Sequence, residues 1–229
     1  MKTVGLLGGM SWESTQTYYR MLNENVKAAL GGLHSARVIL YSVDFAEIEA
    51  LQHQGNWDET ARILAGAASA VESAGADFLL IGTNTMHKVA PQIEAAISIP
   101  LLHIADATAS VLLKDQIRTV GLLGTRFTME QAFYRERLEA QGIEVLVPDE
   151  AERDSVHRVI YEELCLGVTS DASKAEYLSV VDHLAQRGAQ GVIMGCTEIG
   201  LLIQQNDTAV PLYDTTAIHA AQAVKVALT

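Results

Sequence analysis

Thr3-Val4-Gly5-Leu6-Leu7-Gly8, near the start of the chain, returns letter for letter at Thr119-Val120-Gly121-Leu122-Leu123-Gly124. An apolar run that short, ending in glycine, reads as a strand buried on both faces. Its repetition makes the chain a duplication, and other echoes follow in the same order. Tyr19-Arg20 is matched by Tyr134-Arg135 and Pro100-Leu101 by Pro211-Leu212. Between these, Gly75-Ala76 followed by Gly82-Thr83-Asn84-Thr85 is matched by Gly188-Ala189 followed by Gly195-Cys196-Thr197-Glu198.

Working outward, apolar runs bounded by glycine or proline fall at residues 3–7, 37–43, 78–81 and 100–103 in the first copy, and at 119–123, 144–147, 191–194 and 210–213 in the second. Amphipathic stretches with apolar residues at i, i+3 and i+4 separate several of them, at 14–30, 58–74, 128–141, 172–187 and 215–228. Strand and helix in alternation predict a parallel sheet covered on both faces. The expected fold is α/β, with two pseudo-symmetric domains, each a four-stranded parallel sheet flanked by helices, and an active site in the cleft between them.

Ligands of open parallel sheets gather at the carboxyl ends of the strands, where helix N-termini present unpaired N–H groups. The turn after each third strand therefore becomes the place to look, and it carries Thr83-Asn84-Thr85 in one copy and Cys196-Thr197-Glu198 in the other. Thr83, Asn84 and Thr85 offer hydroxyls, an amide and backbone donors suited to a carboxylate; as a short polar run they also suit a helix cap. Cys196, between Gly195 and Thr197, is expected to feel a helix N-terminus that lowers its thiol pKa. Cys165 lies on an apolar-periodic stretch and reads as core. Gly5-x-x-Gly8-Gly9 matches neither the dinucleotide fingerprint nor the P-loop and better suits close backbone approach to a small anion such as a carboxylate.

Composition excludes several classes of function. With 28 acidic against 16 basic residues in 229, the formal charge is −12, which argues against nucleic acid and anionic membrane surfaces as partners. The two cysteines have no CxxC spacing, and the seven histidines form no HExxH or i, i+4 pair, so no metal is expected. No apolar stretch reaches membrane-spanning length, and the start of the chain lacks the pattern of a cleaved leader, so the protein reads as soluble and cytoplasmic.

Gly8-Gly9-Met10-Ser11-Trp12-Glu13-Ser14-Thr15, Asp44-Phe45, Gly82-Thr83-Asn84-Thr85-Met86-His87, Gly124-Thr125 and Gly195-Cys196-Thr197-Glu198 together resemble the aspartate/glutamate racemase family, over essentially the whole chain. The resemblance is to the aspartate racemase branch, since glutamate racemases usually read D-S-G near the N-terminus and C-T-H at the second cysteine. It implies a cofactor-independent amino-acid racemase, without pyridoxal phosphate, acting as a homodimer on aspartate, glutamate or a similar small amino acid. It also implies that the last helix returns to the first domain, dividing the chain into residues 1–105 plus 213–229 and residues 106–212.

Such a reaction removes an α-proton from one face and returns one to the other, so two groups must flank the α-carbon. In most of the family both are cysteines; here Cys196 matches one and Thr83 the other. A threonine hydroxyl is far too weak an acid to rest as an alkoxide near neutral pH, so Thr83 stands ready only as a donor and is a slow base toward the enantiomer without another base nearby. The resemblance to L-aspartate/glutamate-specific members implies asymmetric turnover, with Cys196 the base toward the L-enantiomer and Thr83 the donor. Met10 and Gln52 match substrate-contact positions; Thr83, Asn84 and Thr85 match the carboxylate cradle, with Thr125 and Thr197 as symmetry counterparts. Glu198 is suited either to orienting the Cys196 loop or to accepting an ammonium group. Leu166 stands where many relatives carry a lysine after the E-E-L segment, which leaves a polar neutral substrate open beside a dicarboxylate. A decarboxylase or maleate-type isomerase on the same fold, or a binding protein without turnover, are the alternatives.

Overall fold

The computed structural model describes residues 1–229. Contacts divide the chain into two compact units, Met1–Ile104 with His219–Thr229, and Ala105–Ile218. The chain therefore leaves the first unit at the start of one helix and rejoins it inside the last.

The first unit runs β1 (Val4–Gly8), α1 (Trp12–Leu30), β2 (Val38–Ser42), α2 (Phe45–His53), α3 (Trp57–Ser73), β3 (Phe78–Ile81), a 3₁₀ turn at Thr85–Val89 and α4 (Ala90–Ala95). Helix α5 (Ile104–Lys114) leads into the second unit: β4 (Thr119–Gly124), α6 (Arg126–Glu130), α7 (Ala132–Glu139), β5 (Glu144–Leu146), α8 (Glu150–Glu162), α9 (Asp171–Gln186), β6 (Val192–Gly195), α10 (Ile199–Leu202) and β7 (Leu212–Asp214). Helix α11 (Thr215–Leu228) closes the chain. No helix is long and apolar enough to cross a membrane.

All strand pairs are parallel. The second sheet has four strands in the order β5-β4-β6-β7, as expected from the repeat. The first has three, β2-β1-β3, and the expected fourth strand at 100–103 survives only as a bridge between Leu79 and Leu101. That edge is held by Leu79 N–H to the Pro100 carbonyl and Leu102 N–H to the Leu79 carbonyl; the counterpart Pro211 accepts the same bond, from Val192 N–H, and leads into the full strand β7. The expected helix over 128–141 is also interrupted, because Gln131 adopts an extended conformation (ψ 147°) between α6 and α7.

Strands β1 and β3 are buried on both faces, with alternate residues serving alternate faces, whereas the edge strand β2 is exposed at Leu40 and Tyr41. Val4, Leu6, Phe78 and Leu80 pack with α1 and α11 through Tyr18, Leu22, Ala220 and Ala223, while Leu7, Leu79 and Ile81 pack with α3 through Leu64, Ala68 and Val71. The repeated hexapeptide keeps a glycine at its third position for one reason in both copies. A Cβ on Gly5 would stand 2.5 Å from Val71 Cγ1 of α3, and one on Gly121 would stand 2.9 Å from Leu184 Cδ1 of α9. The covering helix sits directly against the central strand there.

Candidate active site

In the first unit, β1 ends at Gly8 and the chain turns through Gly9, whose φ of 90° suits glycine alone. Ser11 caps α1, accepting from Ser14 N–H at 3.3 Å, and Thr15 Oγ1 accepts from Gly9 N–H at 2.7 Å. Ser14 Oγ then donates to the Gly82 carbonyl at 3.0 Å, tying this turn to the one that follows β3. Met10 is buried in the apolar cluster of Leu7 and Ile48, and Gln52 is buried on α2.

After β3, Gly82 N–H continues the ladder to the Leu7 carbonyl at 2.8 Å, and the chain bends through Thr83 into the 3₁₀ turn. Thr83 is half-buried; Asn84 and Thr85 are buried. The Thr83 carbonyl is met by His87 Nδ1 at 2.8 Å, and His87 Nε2 by the backbone N–H of Ile104 at 3.2 Å. His87 was one of the histidines that the spacing assigned to no site; its signal was the repeat itself, because aligning Gly82 with Gly195 puts Gly200 opposite His87.

In the second unit, Gly124 and Gly195 are register partners at the ends of β4 and β6, so Thr125 and Cys196 follow at the same edge of the sheet. Thr125 is buried and caps α6, accepting from Thr128 N–H at 3.4 Å. Cys196 and Thr197 are half-buried and Glu198 is buried. The Cys196 thiol donates to Glu198 Oε2 at 3.0 Å, and the Thr197 hydroxyl donates to the same oxygen at 2.5 Å.

That arrangement reverses the expectation of a lowered thiol pKa. Burial comes first, followed by the adjacent Glu198 carboxylate and Cys165, and together they hold the Cys196 thiol well above its ordinary range. The helix that follows, α10, has only four residues, so its dipole is small beside the charge of the residue that precedes it. Cys165, expected in the core, is half-buried. It lies in a 3₁₀ turn (Leu164–Leu166) ended by Gly167 at φ 71°, and packs on the same apolar cluster as Cys196. Leu166 is exposed. Thus Met10, Gln52, Thr83, Asn84 and Thr85 belong to the first unit, and Thr125, Cys196, Thr197 and Glu198 to the second.

A family model described as Asp/Glu/Hydantoin racemase matches residues 7–223. The chain belongs to this racemase family. A candidate Asp/Glu racemase from Yersinia pestis is 58% identical, with complete coverage of both chains and a TM-score of 0.94. An aspartate racemase homologue from Pyrococcus horikoshii OT3 is 35% identical, also with complete coverage of both, at a TM-score of 0.87. The broad specificity amino-acid racemase RacX of Bacillus subtilis is 24% identical over 230 residues, 98% of each protein. As a member of a racemase family the protein is an isomerase, which makes the placement of its few proton-transfer groups the central chemical question.

Proposed function

We propose that the protein racemises aspartate, glutamate or a similar small amino acid without a cofactor, with Cys196 and Thr83 each serving one face of the α-carbon. The observation that carries the reading is the thiol–carboxylate pair of Cys196 and Glu198, set at the repeat position equivalent to the Thr83 turn. The thiol is protonated at rest, so to act as a base it must first lose its proton. Glu198 Oε2 already accepts that hydrogen bond, and transfer to it leaves a thiolate and a neutral acid with the charge of the pair unchanged. An incoming ammonium group favours the thiolate. The thiolate then takes the α-proton of the L-enantiomer and the Thr83 hydroxyl protonates the opposite face; Glu198 releases its proton to water and Thr83 regains one from water, which restores the resting state.

Glu198 thus orients and discharges the Cys196 loop, since both neighbouring donors converge on one of its oxygens. Asn84, Thr85, Thr125 and Thr197 hold the substrate's polar groups, with Met10 and Gln52 beside them. Leu166 in place of a lysine, and the broad specificity named for the Bacillus relative, support a substrate range wider than the two dicarboxylates. The enzyme works as a cytoplasmic homodimer, which sedimentation equilibrium of the purified protein checks.

The test is α-proton exchange in deuterated water with a panel of L- and D-amino acids, followed by NMR and chiral analysis. Wild type is expected to exchange L-substrates far better than D-substrates, and Cys196→Ala is expected to be silent. Thr83→Cys should raise turnover of the D-enantiomer. Exchange that persists in Cys196→Ala would overturn the assignment.

A further inference from the structure

Two backbone groups in the first unit have no partner along their own element. The 3₁₀ turn takes its first bond from His87 N–H to the Asn84 carbonyl, which leaves the Thr83 carbonyl outside the ladder. Ile104 opens α5, and its N–H belongs to the first turn, where no carbonyl of the same helix can reach. One imidazole meets both. The Ile104 N–H can only donate, so His87 Nε2 carries no proton and accepts it; the Thr83 carbonyl can only accept, so His87 Nδ1 carries the proton and donates. The tautomer is therefore fixed by two main-chain partners, and the ring is neutral.

The ring is also fixed in place. His87 is buried and lies 4.4 Å, centroid to centroid, from His103, and 6.1 Å from His219. His219 is itself held as a neutral ring. Its Nε2 donates to the Leu102 carbonyl at 2.8 Å, and its Nδ1 accepts from the Tyr18 hydroxyl at 2.8 Å. The other copy of the repeat has nothing comparable, because Gly200 occupies the position of His87. There the turn is gathered by the Glu198 side chain instead, which reaches Cys196 and Thr197.

We propose that His87 is a positioning residue for Thr83, a neutral Nδ1–H imidazole that clamps the Thr83 peptide to the start of α5 so that the threonine hydroxyl is held where it can protonate the substrate. This rests on the reading of Thr83 as a proton donor. Because the clamp acts on the carbonyl of Thr83 and leaves Cys196 untouched, the two halves of the reaction should separate. Exchange initiated by Cys196 continues without His87, whereas delivery of a proton to the opposite face does not.

The experiment measures, for L-substrate in deuterated water, the ratio of chiral inversion to α-proton exchange. His87→Ala is expected to lower inversion roughly 100-fold, as misplacement of a reacting group by about 1 Å does. Exchange should change by less than about threefold, since no Cys196 interaction is lost. In a Thr83→Ala background, His87→Ala should cost nothing further, because both changes remove one function. His87→Asn keeps a donor toward the Thr83 carbonyl and should restore most of the ratio.

Should His87→Ala fail to fold, the wild type alone still decides through long-range proton–nitrogen NMR. His87 must show a protonated Nδ1 and a bare Nε2 from pH 8 to pH 5. A protonated Nε2, an imidazolium at pH 6, inversion and exchange falling together, or additive losses in the double variant would each overturn the role. A wild-type protein that exchanges no α-proton overturns the racemase reading and this role with it, and is recognised before any variant is made.

Discussion

At Cys196 two neighbours set the chemistry in opposite directions, and the nearer charge wins. A short helix N-terminus favours a thiolate, but a carboxylate in hydrogen-bond contact with a thiol disfavours one by considerably more. The expected consequence of Glu198→Gln is therefore a more reactive cysteine and a poorer enzyme. In a Cys165→Ser background, iodoacetamide alkylation of Cys196 at pH 7.5 should run about tenfold faster than with Glu198 present, one pKa unit being a tenfold change in thiolate. Racemisation should fall because the proton acceptor is gone. Alkylation that is unchanged or slower would show that burial alone, the first of the causes acting on this thiol, governs it. The positions of Thr83 and Cys196 were legible in the sequence because a duplication marks its own equivalent points. What held them was not legible, since the bonds from His87 to the Thr83 carbonyl and from Glu198 to Cys196 depend on where side chains point after the turns have formed.

Among the elements, legibility followed periodicity. The strands that read as apolar runs formed, as did the long amphipathic helices α1, α3, α9 and α11. The edge at Pro100 kept only a bridge, although its counterpart at Pro211 leads into the full strand β7, so the shared Pro-Leu pair does not decide strand length. Short α2 and α4, and the charged α8, lacked an apolar stripe long enough to stand out. Glycine gives the sharpest test at this scale. Gly66 lies exposed inside α3 with open space where a Cβ would go, so Gly66→Ala should stabilise the fold by about 1 kcal/mol through helix propensity alone. Gly195 is the opposite case, because a Cβ there would stand 2.7 Å from the Leu123 carbonyl, a backbone atom that cannot step aside. Gly195→Ala should cost about 2 kcal/mol from overpacking and displace the Cys196 turn, with activity lost well below the melting point. Urea unfolding of the pair reads both signs, and a stabilised Gly195→Ala would contradict the strand geometry.

For the whole molecule, the decisive ionisations are those of histidines buried as neutral rings. Burial lowers His219 to about 4 and holds His87 well below the ordinary range, with His103 and His219 adding to the effect on His87. In the unfolded chain these histidines titrate near 6.5. Between the two values the unfolded state binds more protons than the folded one, so stability rises with pH across that window. The contribution is complete above about pH 6.5 and is lost as pH falls through about 4 for His219. For His219 alone the difference amounts to about 3 kcal/mol, a large part of what holds an ordinary domain folded. The location sharpens the effect, since the chain leaves the first unit after Ile104 and returns to it at His219. Protonating His87 would break its acceptor bond from Ile104 N–H, and protonating His219 its acceptor bond from Tyr18. Urea midpoints measured from pH 7.5 down to pH 4.5 should therefore fall steadily below about pH 6.5. His219→Gln keeps a donor for the Leu102 carbonyl but cannot take up a proton. It should be less stable than wild type at pH 7.5 and lose less on acidification. A wild-type midpoint that stays level from pH 7 to pH 5, or a His219 ring that titrates near 6.5 in the folded protein, would mean that the buried histidines are not the molecule's acid-sensitive point.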